Sequence, residues 1–508
     1  MNLNAAISKK EAEGLPFLLV NPGPFQQTYT NLPQGLAILG AILQKNNIPV
    51  YARDYTAQPF DRKELYDLIR KNGIKVAGFT FMTPQAPWAY DLTGMLRRDF
   101  PHLTLICGGA HPTFVPAEPL ENGFDIVFRR EAEETLVNIL PLFVRGDYHP
   151  EALGNIRGIT YLEGVKMANT GMSGRIRNLD EIPFPARHLF PFPQNYMPQI
   201  PLCPGACAQF FTSRGCPEFC TFCAQPYRDG YYFRSPENVV EEIESVKKQF
   251  NISHFYINDD NFCYDNKRAI DISELMIHRR VNMPWAASFA RVEPVCFEMF
   301  HAMKRSGCMA ITFGVESGDP DIRNAIRKKG TLDDAIKAVA LAKRAGLIVG
   351  ATFVLGHPTE TVEQANRSIQ FAKKLNADYT KFFINTPYPG SADYKYFKRN
   401  NLLTAQSWAD YWIQSQPIIK TRHMSTEELF SLRFKAFIHF YTNPRWWFRQ
   451  AFNLFRIRNA GLGARIVRNL FMEAIARGLA PSRDSLRPLN DGISSECLQL
   501  LPSEKSNG

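Results

Sequence analysis

The 508-residue chain reads as an α/β protein of two parallel-sheet modules followed by a helical C-terminal region. Two runs of alternating strand and helix signals predict this, one within residues 1–150 and one over 206–395. A third observation separates them. A proline-rich connector over 151–205 leads into three cysteines crowded on one short loop.

In the first module, residues 16–22 form an apolar run ending in Pro22-Gly23-Pro24, the pattern of a buried strand. A helical pattern then runs from Leu32 through Leu43, with Pro33 near its first turn. Strands follow over 49–54, 76–81, 103–109 and 125–128, with helical stretches over 65–71, 89–98 and 133–143. Short connections between alternating elements predict a doubly wound sheet, which binds ligands at the carboxyl ends of its strands. Asn21-Pro22, Thr80 to Thr83 and Gly108-Gly109-Ala110-His111 are therefore expected on one edge. The connector begins with a small hairpin over 156–166 and continues through Pro183, Pro185, Pro191, Pro193, Pro198 and Pro201, which favour extended backbone. The second module carries strands over 208–212, 254–262, 285–288, 309–318, 349–358 and 379–384. Six strand–helix units predict a partial (β/α)6 TIM-type barrel whose polar strand ends meet at one mouth. Residues 396–480 read as helical, with one helix from about Thr426 to Tyr441, and residues 481–508 as a disordered tail.

Hydrophobic residues at 45% and charged ones at 21% suit ordinary buried cores. No run of about 18 apolar residues predicts a membrane span. Residues 1–13 carry Lys9, Lys10, Glu11 and Glu13 with no long apolar core, so no signal peptide is expected. Ten cysteines in so long a chain do not make a disulfide scaffold; three cluster and the rest scatter, which points to a reducing cytoplasm. The net charge of +10 suits nucleic acid, an anionic membrane face or an acidic cofactor. From Arg445 a basic and aromatic stretch begins, with no acid between residues 442 and 468. It fits either a membrane surface or a helical cap whose arginines meet solvent or an acidic cofactor tail. Nucleic acid is set aside because no recognised binding module accompanies the charge.

Cys216, Cys220 and Cys223 stand at C-x3-C-x2-C spacing. Cysteine thiolates are the ligands of iron–sulfur clusters. A four-iron cluster has four corners, so three thiolates leave one iron open to a ligand that is not protein. Structural zinc would want a fourth ligand and usually C-x2-C pairs. Three unrelated buried cysteines would not explain the Gly215-Cys216-Pro217 start or Phe222 between the last two. Cys203 and Cys207 lie just upstream and fit a second metal, a redox pair or, more simply, unpaired thiols.

Arg214-Gly215-Cys216-Pro217-x-x-Cys220-x-Phe222-Cys223 resembles the signature of the radical S-adenosylmethionine superfamily. The resemblance implies a 4Fe-4S cluster on the three cysteines, its open iron chelated by S-adenosylmethionine, which the reduced cluster cleaves to a 5′-deoxyadenosyl radical. It also assigns the barrel's strand ends. Asp260, in Asp259-Asp260-Asn261-Phe262, stands where the family holds the amino group or ribose of S-adenosylmethionine. Arg291 stands where an arginine approaches the carboxylate. Glu316 would bond the ribose and Ser317 the amino-acid part. Gly356 belongs to a segment contacting adenine, from which His357 and Thr359 depart. Tyr388, in a Pro-Tyr-Pro-Gly turn, suits a substrate contact or the turn alone and receives no role.

The first module resembles the cobalamin-binding domain found ahead of many such barrels. Val20-Asn21-Pro22, Pro33-x-Gly35-Leu36-Ala37, Asp54 and Gly108-Gly109-x-His111-Pro112-Thr113 carry the likeness, with Leu179-Asp180-x-Ile182-Pro183-x-Pro185 in the connector. It implies cobalamin against Thr80, Gly108, Gly109 and His111. No Asp-x-His-x-x-Gly is present, so the lower cobalt face would be bare or water-bound. His111 fits loop packing, a corrin side-chain contact or cobalt ligation. Arg130-Glu131-Ala132-Glu133-Glu134-Thr135 replaces the family's Gly-Glu-Gly-Glu-x-Thr and removes backbone freedom beside the ligand.

Together these likenesses imply a cobalamin-dependent radical S-adenosylmethionine methyltransferase acting on an unactivated carbon. A substrate radical made by the 5′-deoxyadenosyl radical would take its methyl from methylcobalamin. An oxidative cyclase or rearrangement enzyme on a tetrapyrrole is the second expectation, and a non-catalytic cobalamin or iron–sulfur sensor the third. The expected partners are a small-molecule substrate (a lipid, hopanoid or tetrapyrrole, with a peptide or antibiotic precursor also open) and an external one-electron reductant. The basic C-terminal stretch adds a peripheral membrane contact.

Overall fold

The structure is a computed structural model that describes residues 3–23, 31–196, 205–413, 416–444 and 446. Its first sheet has seven strands: β1 Phe17–Asn21, β2 Val50–Asp54, β3 Val76–Thr80, β4 Thr104–Gly108, β5 Ile126–Phe128, β6 Ile159–Glu163 and β7 Lys166–Asn169. They lie in the order β2-β1-β3-β4-β5-β6-β7. β1 to β5 are parallel, and their apolar runs are buried because helices cover both faces. Asn21 stands opposite Asp54, Val20 opposite Phe79 and Thr80 opposite Gly108, so the expected edge exists. The hairpin read as part of the connector is β6 and β7, and it belongs to this sheet. β6 pairs antiparallel with three-residue β5, Ile126 opposite Tyr161, and covers an edge that would otherwise be open.

Eight more strands follow in chain order. β8 is Cys207–Phe210, β9 Ser213–Arg214, β10 Tyr232–Phe233 and β11 His254–Ile257. β12 is Trp285–Ala290, β13 Cys308–Glu316, β14 Ile348–Leu355 and β15 Tyr379–Ile384. Six of them form a parallel sheet in the order β15-β14-β13-β12-β11-β8, while β9 and β10 make a small antiparallel pair. Both free edges of the six-stranded sheet are covered. On β8, the Gln209 carbonyl accepts from Gln34 Nε2 (2.5 Å) and from Arg187 Nη2 (3.0 Å), which brings the first module and the connector against the barrel. On β15, Tyr441 of helix Thr426–Tyr441 donates to the Thr380 carbonyl (3.0 Å) and accepts from its amide (3.2 Å). One apolar cluster runs continuously from Phe17 and Leu43 through Phe210 and Phe255 to Phe353 and Leu429. No helix among the described residues is long and apolar enough to cross a membrane.

Candidate active site at the barrel mouth

β8 ends at Phe210, and the chain turns through Gly215 into the cysteine loop. Gly215 has φ +89°, and a Cβ there would stand 2.4 Å from the Gly230 carbonyl oxygen and 2.7 Å from that of Tyr227, so only glycine fits. Asp259, wholly buried past the end of β11, fixes the start of the loop. Its carboxylate accepts from the Thr212 amide (2.5 Å), the Thr212 hydroxyl (2.5 Å) and the Ser213 hydroxyl (2.7 Å). The loop itself is wrapped by Arg228. Its guanidinium donates to the carbonyls of Glu218 (3.2 Å), Cys220 (3.1 Å) and Cys223. The Cys216 amide donates to Tyr227 O (3.3 Å) and the Thr221 amide to Ile326 O (3.1 Å).

The three cysteines are half-buried and unbonded to one another. Burial pushes all three thiols up, Cys223 to about 12 with Arg228 opposing the rise, so a bound metal would be what makes them thiolates. Among the described residues no three His, Cys, Asp or Glu side chains converge on one ion. A single zinc holds its sulfurs at about 2.3 Å from one centre. A four-iron cluster instead puts each thiolate on its own iron, and three cysteines on one loop strapped by Arg228 could supply three such ligands. The donor set fits the cluster.

The strand-end residues expected around S-adenosylmethionine divide into two groups. Asp260 opens toward the mouth, held by Gln225 Nε2 at 2.6 Å, and local desolvation with the Asp259 charge raises its carboxyl. Glu316 adopts φ +70°, a left-handed backbone rare outside glycine and found disproportionately at functional sites, and pairs with Lys328 Nζ at 3.2 Å. Beside these groups opens a cavity of about 690 Å3, lined among others by Glu293, Arg327, Lys328 and Lys329. Arg291 reaches the cysteine loop rather than open space: its two terminal nitrogens pair with Glu218 and Glu293. Ser317 is wholly buried, with its hydroxyl 3.0 Å from that of Ser368 and accepting from the Asp319 amide at 3.1 Å, contacts that support a turn at the strand end. Gly356, at φ +82°, donates its amide to Glu360 (2.6 Å) and packs beneath Leu429 and Ile419. His357 is buried against Phe222 of the cysteine loop, ring centroids 5.8 Å apart.

On the other side lies the edge of the first sheet. Thr80 and Gly108 end adjacent strands there, and Met82 just beyond is 57% exposed. Gly109, at φ +103°, is demanded by the chain itself, since a Cβ would meet Thr80 Oγ1 at 2.8 Å and Phe81 O at 3.0 Å. His111 departs from the expected loop. It lies in the short helix Ala110–Phe114, 1% exposed, with its ring nitrogens 3.3 Å from Tyr90 Oη and 3.3 Å from Thr83 Oγ1 and its face 5.0 Å from Trp408. Burial lowers it to about 4. Both nitrogens have hydroxyl partners, so the ring packs the edge. An edge of strand-end backbone and exposed Met82 fits a large flat ligand without a protein axial base. Asp54, buried beneath that edge, accepts from Asn21 Nδ2 (2.9 Å) and from Tyr196 Oη (2.8 Å) of the connector.

The two edges face a common seam. Arg214, the residue before Gly215, is clasped by Glu131 (3.2 Å) and Glu133 (2.7 Å) of the first module. Arg175 of the connector stacks on Tyr227 (4.5 Å) and Tyr232 (5.0 Å). Nothing in the residues' spacing announced Arg228, Arg175 or Lys328. Cys207 is buried in β8, and Cys203 lies outside the described residues.

A three-thiolate loop at the mouth of a parallel barrel, joined to a sheet edge that suits a corrin, is the arrangement of an enzyme that pairs a metal cluster with a corrin. The Radical SAM superfamily matches residues 210–372 and the B12 binding domain residues 28–140. An uncharacterized methyltransferase of Pyrococcus horikoshii is 33% identical over 420 residues, 82% of this chain and 89% of that one. The chain belongs to the cobalamin-dependent radical SAM methyltransferase family. Its cofactors are a 4Fe-4S cluster, S-adenosylmethionine and cobalamin. The anaerobic magnesium-protoporphyrin IX monomethyl ester cyclase of Cereibacter sphaeroides is 25% identical over 360 residues, 69% of this chain and 58% of the cyclase. The fold is also that of the cobalamin-dependent S-adenosylmethionine radical enzyme OxsB, solved with aqua-cobalamin and S-adenosylmethionine bound: TM-score 0.67, 15% identity, 94% of this chain and 74% of that one.

Proposed function

We propose that the protein methylates an unactivated carbon of an apolar small molecule, a lipid, hopanoid or tetrapyrrole. The observation that carries this is the seam itself, where Arg214 of the cysteine loop is locked between two carboxylates of the first module. When bound, the cluster and S-adenosylmethionine supply a hydrogen-abstracting carbon radical, and cobalamin supplies the methyl group. The chain's own part is to bind and to align. Cys216, Cys220 and Cys223 hold the cluster. Asp260 receives the cationic amino group, and Glu316 the ribose hydroxyls. Gly356 gives its backbone to the adenine side. Arg291 keeps Glu218, and through it the cysteine loop, in place. Thr80, Gly108 and Gly109 line the corrin edge. An apolar substrate is supported by Phe219 in the cysteine loop, 58% exposed, and Phe289 two residues before Arg291, 53% exposed. Electrons come singly from an external reductant. The reaction runs in the cytoplasm, and the basic stretch from Arg445, most of it outside the described residues, gives peripheral contact with an anionic membrane.

The test is anaerobic: reconstituted protein, S-adenosylmethionine, hydroxocobalamin, a one-electron reductant and a panel of apolar lipids and tetrapyrroles. A product heavier by one methyl group, lost in Cys216→Ala, supports the proposal. 5′-Deoxyadenosine formed with hydrogen loss and ring closure on a tetrapyrrole, but no methyl gain, would replace it with the cyclase reading that the Cereibacter relative favours.

A further inference from the structure

Arg130 joins the two cofactor loops. Its backbone sits at φ +73°, a conformation costly for any side chain and free for glycine. Its amide donates to Thr113 Oγ1 (3.1 Å) in the helix that follows Gly109, and the neighbouring Arg129 donates to the Thr113 carbonyl (3.2 Å). Its side chain crosses the seam. Nε donates to Pro226 O at 2.8 Å, and Nη2 pairs with Asp229 at 3.1 Å, a carboxylate that Arg175 also approaches at 3.6 Å. Between those two contacts lie Tyr227, whose carbonyl holds the Cys216 amide, and Arg228, which holds the carbonyls of Cys220 and Cys223. Residues 226–229 thus strap the cysteine loop on one side and are gripped by Arg130 on the other.

We propose that Arg130 is a positioning residue that sets the separation of the cluster from the corrin. The inference rests on the two-cofactor reading above. Stability does not explain the residue: an ion pair whose carboxylate is 44% exposed returns little, while the left-handed backbone is a standing cost. What the arrangement gives is a rigid link between loops from two modules, and reactions that need three groups in line depend on such placement.

The experiment uses the full chain loaded with cluster and cobalamin, reduced so that cluster and cob(II)alamin are both paramagnetic. Pulsed electron paramagnetic resonance then reads the distribution of cluster-to-cobalt distances. Wild type is expected to give one narrow distribution. Arg130→Gly relieves the backbone and removes the grip, so the width should at least double while iron and corrin per chain stay unchanged. Asp229→Asn, which leaves the backbone of Arg130 alone, should broaden it too, and the double variant no further than Arg130→Gly. An unchanged width in Arg130→Gly, additive broadening in the double variant, or loss of iron or corrin in either single variant would overturn the inference. Wild-type protein that took up no corrin would instead overturn the two-cofactor reading, and this with it.

Discussion

Arg228 spends its guanidinium on three backbone carbonyls of the cysteine loop. Charged hydrogen bonds of this kind are worth about 1.5–3 kcal/mol each where water is excluded, and less where it enters. Arg228→Ala should therefore leave the barrel folded yet speed iron loss to a chelator at least tenfold, read from the decay of cluster absorbance. Equal rates would refute the role. His111 makes a prediction of opposite character. Its folded value near 4 lies below the ordinary value of 6.5, so the stability it confers is complete above pH 6.5 and is lost as pH falls toward 4. The full loss is about 3 kcal/mol by linkage. His111→Gln should flatten that part of the acid unfolding curve and leave the corrin spectrum unaltered; a changed spectrum would restore cobalt ligation. The cysteines were legible because thiol spacing is written in the sequence. Arg228 was not, because its partners are carbonyls that every residue possesses. The place of Ser317 at a strand end was legible too, but its contact with Ser368 was not, since only the fold brings the two together.

Strands betrayed themselves by composition. Buried parallel strands such as β1 and β14 are near-continuous apolar runs, and helices between them begin at Ser or Thr caps such as Thr331 and Thr361. The β6–β7 hairpin was seen as a hairpin, yet its membership in the first sheet was hidden. Pairing is a long-range choice, and β7, largely exposed, carries no pattern that names a neighbour. The turn into the cysteine loop is the element where geometry is tightest. Gly215→Ala would add a Cβ 2.4 Å from a carbonyl oxygen on a backbone already at φ +89°. The loop must then open, so reconstituted iron should fall below half of the wild-type content even where circular dichroism shows the barrel intact. Full iron loading in that variant would mean that the loop is more pliant than its contacts imply.

The molecule as a whole depends on a seam that no single stretch of sequence describes. Alternation of strands and helices predicts two modules, but their mutual placement follows from Arg214 lying between Glu131 and Glu133, from Arg187 on buried Glu242 (2.6 Å), and from Trp408 donating to Glu118 (2.7 Å) at the far end. Removing one member of a buried ion pair leaves the other charge without a partner and costs about 3–5 kcal/mol. Burial raises the Glu131 carboxyl, and the Arg214 charge opposes that rise. Glu131→Gln keeps the shape and strips the charge. It also weakens the acceptor for the Ile176 amide, now 2.6 Å away, and so loosens the connector. Wild type is expected to melt in one calorimetric transition, and Glu131→Gln should divide it in two, with the first module melting apart from the barrel. Glu118→Gln, at a partly exposed contact, should leave one transition only slightly lowered. One undivided transition in Glu131→Gln would mean that the continuous apolar core, and not the charged seam, holds the modules together.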